Sequence, residues 1–263
     1  MLKHCFFRLL AAFIFFTRLP FWRLAQVPKE YYERVVPLWP LVGWLTGGCM
    51  ATTFYWGTQC FTPLVGLLLA LLVRILMTGA LHEDGLADVC DGFGGGTSRD
   101  QILRIMKDSH IGTYGVLGLI LYFLLMSSIL YGLATTDANG SEAIEKTVIL
   151  IFCADPCAKY LCSHIVNVLP YARKAEEAKT KLVYTRTPWA EECIGLCFGL
   201  APSLMFLPPL YWWCIPGAAV CTMLLFGLFK KNIQGYTGDC CGASFLLTEL
   251  CFLLIALAIA PIR

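Results

Sequence analysis

Charged residues are scarce in this chain. Of its 263 residues, only 14% are Asp, Glu, Lys or Arg and 58% are hydrophobic, whereas soluble domains carry roughly 25% charged residues. A soluble globule of this length could not hide so much apolar surface, so we expect the surplus to face a lipid bilayer. The net charge is only +2, and the chain lacks the broad basic stripe of a nucleic-acid-binding protein, which excludes nucleic acid as an expected partner.

Other signals are missing as well. No small-residue cleavage site follows the first apolar run, so we do not expect a removable signal peptide. No internal repeat or low-complexity linker divides the chain, and residues 1–263 are predicted to form a single integral membrane domain. The 14 cysteines lie mostly inside apolar segments at helical spacing, not at the paired short spacing of a zinc site, so we interpret them as packing residues.

The long apolar runs predict an all-α fold, a polytopic transmembrane bundle with about seven or eight membrane helices. One run contains Asp155, Pro156, Lys159 and His164, which predicts that this helix faces a polar cavity. The candidate helices span about 5–21, 38–56, 63–81, 111–133, 147–169, 191–208, 217–230 and 243–260.

Basic residues are concentrated in four of the predicted loops. These loops span 22–37, 82–110, 170–190 and 230–240, whereas the loops 57–62 and 209–216 between them carry no charge. Because cytosolic loops of membrane proteins are enriched in Lys and Arg, we expect all four basic loops on the cytosolic side of a bacterial inner membrane.

The loop 82–110 opens with an acidic pattern. Asp84, Asp88 and Asp91 stand at i, i+4 and i+7, so on a helix they share one face. Like charges at this spacing destabilise a helix by roughly 0.2–0.5 kcal/mol per pair unless a cation neutralises them. Oxygen ligands favour a hard cation such as Mg²⁺, and neighbouring His82 is a candidate proton-transfer group. A solvated acidic face and a structural histidine remain the alternatives.

Candidate phosphate-binding residues follow this acidic pattern. The glycine run at 92–96 predicts a sharp turn whose free backbone amides, including those of Gly94 and Gly95, face an anion. Arg104, Lys107 and His110 then recur at intervals of three residues, which favours approach to phosphate from one side.

A second polar patch occupies residues 230–239, between the last two apolar runs. It combines two lysines and two glycines with Asp239, on the same predicted face as the acidic pattern. Asp239 is a candidate to complete a metal site or to orient a nucleophile. The alternative is that it caps the helix that follows, since Asp is favoured at that position.

Three stretches together resemble one family. They run from Thr78 to Gly92, from Met106 to Gly115 and from Gly235 to Leu250. In order and spacing they are similar to the cobalamin synthases, the adenosylcobinamide-GDP ribazoletransferases. Weaker echoes lie at 17–20, 40–43 and 171–173. The chain departs from the family pattern at Gln234, where glycine is expected, and at Lys174-Ala175, where an acidic pair is expected.

The resemblance implies a Mg²⁺-dependent membrane enzyme. Such an enzyme joins adenosylcobinamide-GDP to α-ribazole, or to α-ribazole 5′-phosphate, and releases GMP. The resemblance makes Asp84, Asp88, Asp91 and Asp239 the candidate catalytic and metal-binding residues, with His82 or an aspartate as proton acceptor. The candidate substrate and phosphate-binding residues are Arg104, Lys107, His110, Arg173, Gly94, Gly95 and Thr237.

Two other functions remain open at this stage. Asp88-Val89-Cys90-Asp91-Gly92 matches the opening of the CDP-alcohol phosphotransferase motif, although the rest of that motif is missing. Carboxylates in a helical bundle can also line the ion path of a cation transporter, but here they cluster at one face and no inverted repeat is visible. The sequence also leaves open whether the protein forms a homo-oligomer.

Overall fold

The helical prediction is confirmed. The computed structural model describes residues 2–136, 141–173 and 184–260, and within them the one β pairing is a parallel bridge between Tyr171 and Tyr236. The α-helices are α1 Leu2–Phe16, α2 Trp39–Cys60, α3 Pro63–Thr78, α4 Leu81–Gly95, α5 Arg99–Ile105, α6 Thr113–Ala134, α7 Ser141–Ser163, α8 Ile165–Val168, α9 Trp189–Phe206, α10 Cys214–Ile233 and α11 Gly238–Ile259. Short 3₁₀ helices cover Phe21–Arg23, Lys29–Arg34, Val36–Leu38 and Pro209–Trp213.

The core forms around the three long helices α2, α7 and α11. α7 packs against α2, α9 and α11, and α11 also packs against α4 and α10. Most of the apolar stretch of α7 is buried, whereas α6 and α10 leave most of theirs on the surface. A helix that is apolar on its exposed side is typical of a membrane environment, because lipid replaces water as the solvent.

The number of membrane helices predicted from sequence is not confirmed. By length and composition, four helices among the described residues can cross a membrane, or five if the bent pair α3 and α4 counts as one span. α1 has only 15 residues, fewer than the roughly 20 that cross the hydrocarbon core. α2 has 22 residues but is rich in glycine, threonine and tryptophan, and α9 begins with Glu191 and Glu192.

α3 and α4 meet at an angle of 91°. Two left-handed residues, Gly79 with φ 66° and Ala80 with φ 58°, make this bend. Gln234, at the end of α10, also has a left-handed φ of 57°. This conformation favours glycine because it crowds a Cβ atom, which gives a physical reason for glycine at this position in the family pattern.

Two local expectations are wrong. The glycine run does not turn sharply, because α4 continues through Gly94 and Gly95, where backbone amides ordinarily donate to the carbonyl four residues earlier. Asp155 and Lys159 do not face a polar cavity, because both are fully buried, form an ion pair and hydrogen-bond Thr46 of α2. Pairing within the protein replaces the solvation that these charged residues would otherwise require.

Three of the basic segments come together at one end of the bundle. Arg99 of α5 donates from Nε to the Ile233 carbonyl at 3.1 Å and from Nη2 to the Ala172 carbonyl at 2.6 Å. The loop before α11 pairs with residues 170–172 through two backbone hydrogen bonds, of 2.8 and 2.9 Å. Lys174, Lys179 and Lys181, which belong to the third basic loop, lie outside the described residues.

Candidate active site

The N-terminal parts of α4 and α11 pack backbone against backbone. A Cβ atom placed on Gly85 would lie 2.8 Å from the carbonyl oxygen of Asp239, and one on Gly242 would lie 3.1 Å from the Cα of His82. Only glycine allows an approach this close. The two polar patches of the sequence, at 84–91 and 230–239, therefore meet in the fold.

A cavity of ≈ 120 Å³ lies where these helices meet. The cavity therefore has room for several water-sized groups. It is lined by Phe15, Phe16, Trp39, Leu81, His82, Asp84, Tyr171, Arg173, Tyr184, Gly238, Asp239, Cys241 and Gly242.

Asp84 and Asp239 are the two carboxylates of this cavity. Asp84 is exposed in the first turn of α4, and Asp239 is 8% exposed in the first turn of α11. The capping alternative for Asp239 is wrong, because Thr237 is the N-cap residue and accepts a hydrogen bond from the amide of Cys240. The Thr237 hydroxyl also donates to Asp239 Oδ2 at 3.3 Å. Thr237 thus holds the cavity carboxylate in place.

Asp91 points to a different helix. Its Oδ2 accepts a hydrogen bond from the Gly112 amide at 2.7 Å and its Oδ1 accepts one from the Gly115 amide at 2.8 Å. A carboxylate at this position stabilises the N-terminus of α6, where backbone amides lack partners in their own helix. Neither Asp91 nor half-buried Asp88 lines the cavity. The shared helical face predicted for the three acids is therefore divided between two neighbouring helices.

His82 is enclosed beside the cavity carboxylates. It is 2% exposed, its ring lies 4.7 Å from the Phe245 ring, and the Trp39 ring lies 6.0 Å away. Its Nε2 atom has no hydrogen-bond partner within the described ranges. An orphaned buried ring nitrogen is costly unless a bound group supplies the missing hydrogen bond.

Arg173 separates this cavity from a larger groove. Its Nη2 donates to the Leu103 carbonyl at 3.1 Å and lies 3.9 Å from Asp239 Oδ2, while Nη1 is buried without a hydrogen-bond partner among the residues described. The groove has a volume of ≈ 610 Å³. It is lined by Arg99, Asp100, Leu103, Arg104, Lys107, Tyr171, Ala172 and Arg173. The sequence-predicted Arg104, Lys107 and Arg173 are thus brought together.

The remaining phosphate candidates lie elsewhere. His110 is exposed and pairs with Asp108 at 2.7 Å, and it lines neither the cavity nor the groove. Its hydrogen bonds to Asp108 lower the pKa of that carboxyl group. Gly94 packs against the Tyr114 ring, since a Cβ there would lie 2.5 Å from it, and Gly95 is exposed at the end of α4.

The aromatic wall of the cavity was not predicted from the sequence. Phe16 stacks on Trp39 with ring centroids 5.3 Å apart, and Phe15 meets Tyr184 edge to face at 5.9 Å. Burial raises the pKa of the phenols of Tyr184 and Tyr171, so both stay protonated and able to donate. Phe15 and Phe16 come just before the weak echo at 17–20, and Trp39 comes just before the one at 40–43. This position in the chain is the sequence signal that could have found them.

The donor set of the cavity suits Mg²⁺. Mg²⁺ in enzymes is held by one or two carboxylates, by water and by substrate phosphates, and Asp84 with Asp239 provides two such carboxylates. Within residues 2–136, 141–173 and 184–260, no group of three or more His, Cys, Asp or Glu side chains is arranged to hold a metal ion. A metal at this site would therefore take its other ligands from water and phosphate.

Comparison with known proteins identifies the family. The profile of the cobalamin-5-phosphate synthase family matches residues 8–257. The chain belongs to this family. Three adenosylcobinamide-GDP ribazoletransferases are similar along most of their length. The Leptospira biflexa protein is 32% identical over 90% of both chains, the Leptothrix cholodnii protein 34% over 90% of this chain and 89% of its own, and a Shewanella baltica protein 34% over 96% and 94%. No solved structure matches the chain.

Proposed function

We propose that this cobalamin-5-phosphate synthase family member is an adenosylcobinamide-GDP ribazoletransferase. One observation carries the proposal: two carboxylates from helices far apart in sequence, Asp84 and Asp239, line one cavity with His82 and Arg173. Relatives that are 32–34% identical over nearly the whole chain carry this name. The CDP-alcohol phosphotransferase and cation transporter alternatives receive no support from these matches.

The reaction exchanges one phosphorus–oxygen bond for another. A hydroxyl oxygen of α-ribazole, or of its 5′-phosphate, forms a bond to the phosphorus that bears cobinamide. The pyrophosphate bond at that phosphorus breaks, and GMP leaves with the bonding electron pair. The hydroxyl proton passes to a base on the enzyme. Because such transfers depend on positioning and charge neutralisation, the protein needs no covalent intermediate.

Polar residues of the cavity and of the groove have roles in this scheme. His82 Nε2 accepts the proton of the attacking hydroxyl, since this atom has no other hydrogen-bond partner in the described structure. Arg173 donates to the transferred phosphate through its unpaired Nη1. Arg104 and Lys107 hold phosphate oxygens in the groove beyond. The protonated phenols of Tyr171 and Tyr184 donate further hydrogen bonds.

We propose Asp84 and Asp239 as the metal ligands. Asp88 lies one turn further along α4, and Asp91 caps the N-terminus of α6. Bound Mg²⁺ would neutralise charge on the pyrophosphate and on the departing phosphate. Without a cation, the two carboxylates of the cavity would repel an anionic substrate. Arg173, 3.9 Å from Asp239, offsets one of these charges.

We also propose the orientation of the protein in the membrane. The basic segments around Arg99, Arg173 and Lys230 lie at the same end of the bundle as the cavity. The positive-inside rule would place this end in the cytosol of a bacterial cell, at the inner membrane. α1, α2 and α9 would complete a set of about seven or eight membrane helices, with α3 and α4 together forming one broken span.

The function is tested by GMP release from the purified protein in lipid nanodiscs. Adenosylcobinamide-GDP is supplied with α-ribazole or with α-ribazole 5′-phosphate, with Mg²⁺ or with a chelator. We expect GMP and a cobalamin product only when donor, acceptor and Mg²⁺ are all present. If the folded protein forms no GMP with either acceptor, the proposed function is wrong, and undiminished release in chelator would remove the metal from it.

A further inference from the structure

A buried arginine connects the two helices that carry the cavity carboxylates. Arg74 of α3 has no exposed surface, although its guanidinium group is charged. Its Nη1 donates to Glu249 Oε2 at 2.5 Å, and its Nη2 donates to the hydroxyl of Tyr122 at 2.6 Å. Nη2 also lies 3.5 Å from Glu83 Oε1. One side chain thus joins α3, α4, α6 and α11.

The partners of Arg74 are closely linked to the cavity. Glu83 stands between His82 and Asp84 in the first turn of α4, and both of these neighbours line the cavity. Glu249 lies on α11, ten residues after Asp239, which is about 15 Å along a helix. Because a helix is stiff over this length, fixing Glu249 fixes the position of α11 along its axis, and with it Asp239.

The local backbone makes such a clamp necessary. α4 leaves α3 through two left-handed residues, Gly79 and Ala80, and the left-handed conformation is unfavourable for Ala80. Glu83, 4% exposed, has no hydrogen-bond partner for either oxygen within the described residues, so Arg74 at 3.5 Å is the nearby charge that compensates it. A buried carboxylate is costly without such compensation.

We infer that Arg74 is a positioning residue, which holds α4 and α11 in register through Glu83 and Glu249 and thereby sets the spacing between Asp84 and Asp239. Arginine suits this task because its planar fork presents several donors in fixed directions, whereas lysine presents a single point charge. Tyr122 fixes the orientation of the fork without adding charge. The inference deepens the proposed function and rests on it for the activity measurements below.

The test separates positioning from stability. In the triple variant Arg74→Met, Glu83→Gln, Glu249→Met, no unpaired charge remains, and apolar replacement of buried ion pairs is often tolerated. We expect this variant to fold but to release GMP at least roughly tenfold more slowly, since misplacement by 1 Å can cost about 10²-fold. We also expect weaker binding of Mn²⁺ alone, measured by electron paramagnetic resonance without substrate. Wild-type values for both would overturn the inference.

The matched control is Arg8→Met with Glu191→Met. This double variant replaces the ion pair that joins α1 and α9, whose closest atoms are 2.6 Å apart and which does not line the cavity. We expect GMP release and Mn²⁺ binding to stay at wild-type values. If the triple variant does not fold, Tyr122→Phe decides, because it removes one hydrogen bond and no charge. A lower rate supports the inference, and an unchanged rate overturns it.

The two measurements also distinguish a failure of the proposed function from a failure of the inference about Arg74. If the wild-type protein releases no GMP, the proposed function fails. The Mn²⁺ measurement then still reports whether Arg74 sets the spacing of the carboxylates. If wild type is active and the triple variant matches it in both measurements, the inference about Arg74 fails alone.

Discussion

A single methyl group at Gly85 is expected to disturb the site more than it disturbs the fold. In Gly85→Ala, the new Cβ would lie 2.8 Å from the Asp239 carbonyl oxygen, whereas ordinary contact begins at 3.4 Å. The three crowded atoms of Asp239, its O, Cα and C, all belong to the backbone, so none of them can rotate away. α4 and α11 must therefore separate by about 0.6 Å, the difference between these two distances.

The expected magnitudes follow from this displacement. Overpacking costs about 1–3 kcal/mol of stability, and alanine in place of glycine in a helix returns up to about 1 kcal/mol, so the variant should remain folded. A displacement of 1 Å at a reacting centre can lower the rate about 10²-fold. A shift of roughly half that size should lower the rate of GMP release about tenfold, equivalent to about 1.4 kcal/mol.

The assay is GMP release in nanodiscs, with thermal unfolding measured on the same samples. Gly227→Ala is the matched control, because this α10 glycine has no heavy atom within 4 Å of the position of a Cβ. The control should keep the wild-type rate. If Gly85→Ala and Gly227→Ala release GMP equally fast, the close packing of α4 on α11 does not determine the geometry of the site.

Three further predictions concern individual side chains. Lys107→Ala should raise KM about tenfold by removing a phosphate contact of roughly 1.4 kcal/mol, whereas His110→Ala should leave KM unchanged. Equal KM values for the two variants in steady-state kinetics would contradict the proposed groove. Asp91→Ala leaves two amides at the start of α6 without partners, so it should destabilise the protein by about 1–3 kcal/mol, and an unchanged unfolding midpoint would argue against its capping role. Burial raises the pKa of the Tyr184 phenol, which therefore stays protonated as the pH rises; Tyr184→Phe should lower the rate without moving the alkaline limb of the pH–rate profile, and a moved limb would show that this phenol ionises.

Much of the fold was accessible from the sequence because apolar runs and loop charges act locally. The predicted runs correspond to α1, α2, α3, α6, α7, α9, α10 and α11. The number of membrane helices could not be predicted in the same way, because composition alone does not show which apolar helix faces lipid and which is buried by its neighbours. The ion pair of Asp155 and Lys159 is an example, because these charges are buried through a contact with Thr46. Thr46 lies more than 100 residues away in the sequence, so no local pattern predicts the contact.

The candidate site was predicted in part for the same reason. Helical periodicity places Asp84, Asp88 and Asp91 on one face, but it cannot show that α6 takes one of them and α11 faces another. That division depends on Gly112 and Gly115, whose amides donate to Asp91. A Cβ atom at either position would lie 2.5 Å from a carboxylate oxygen of Asp91, so only glycine allows this approach. The aromatic wall has no polar motif, so nothing in its residue types distinguished it from ordinary core.

The central claim is that Asp84 and Asp239 act together in one centre, and a double-mutant cycle on GMP release tests it most directly. Asp84→Asn, Asp239→Asn and the double variant are compared by kcat/KM under the same conditions. Residues that act as a unit are non-additive, so we expect the double variant to be little slower than the slower single variant. Two losses that simply multiply would show that the carboxylates act independently and would contradict the shared centre.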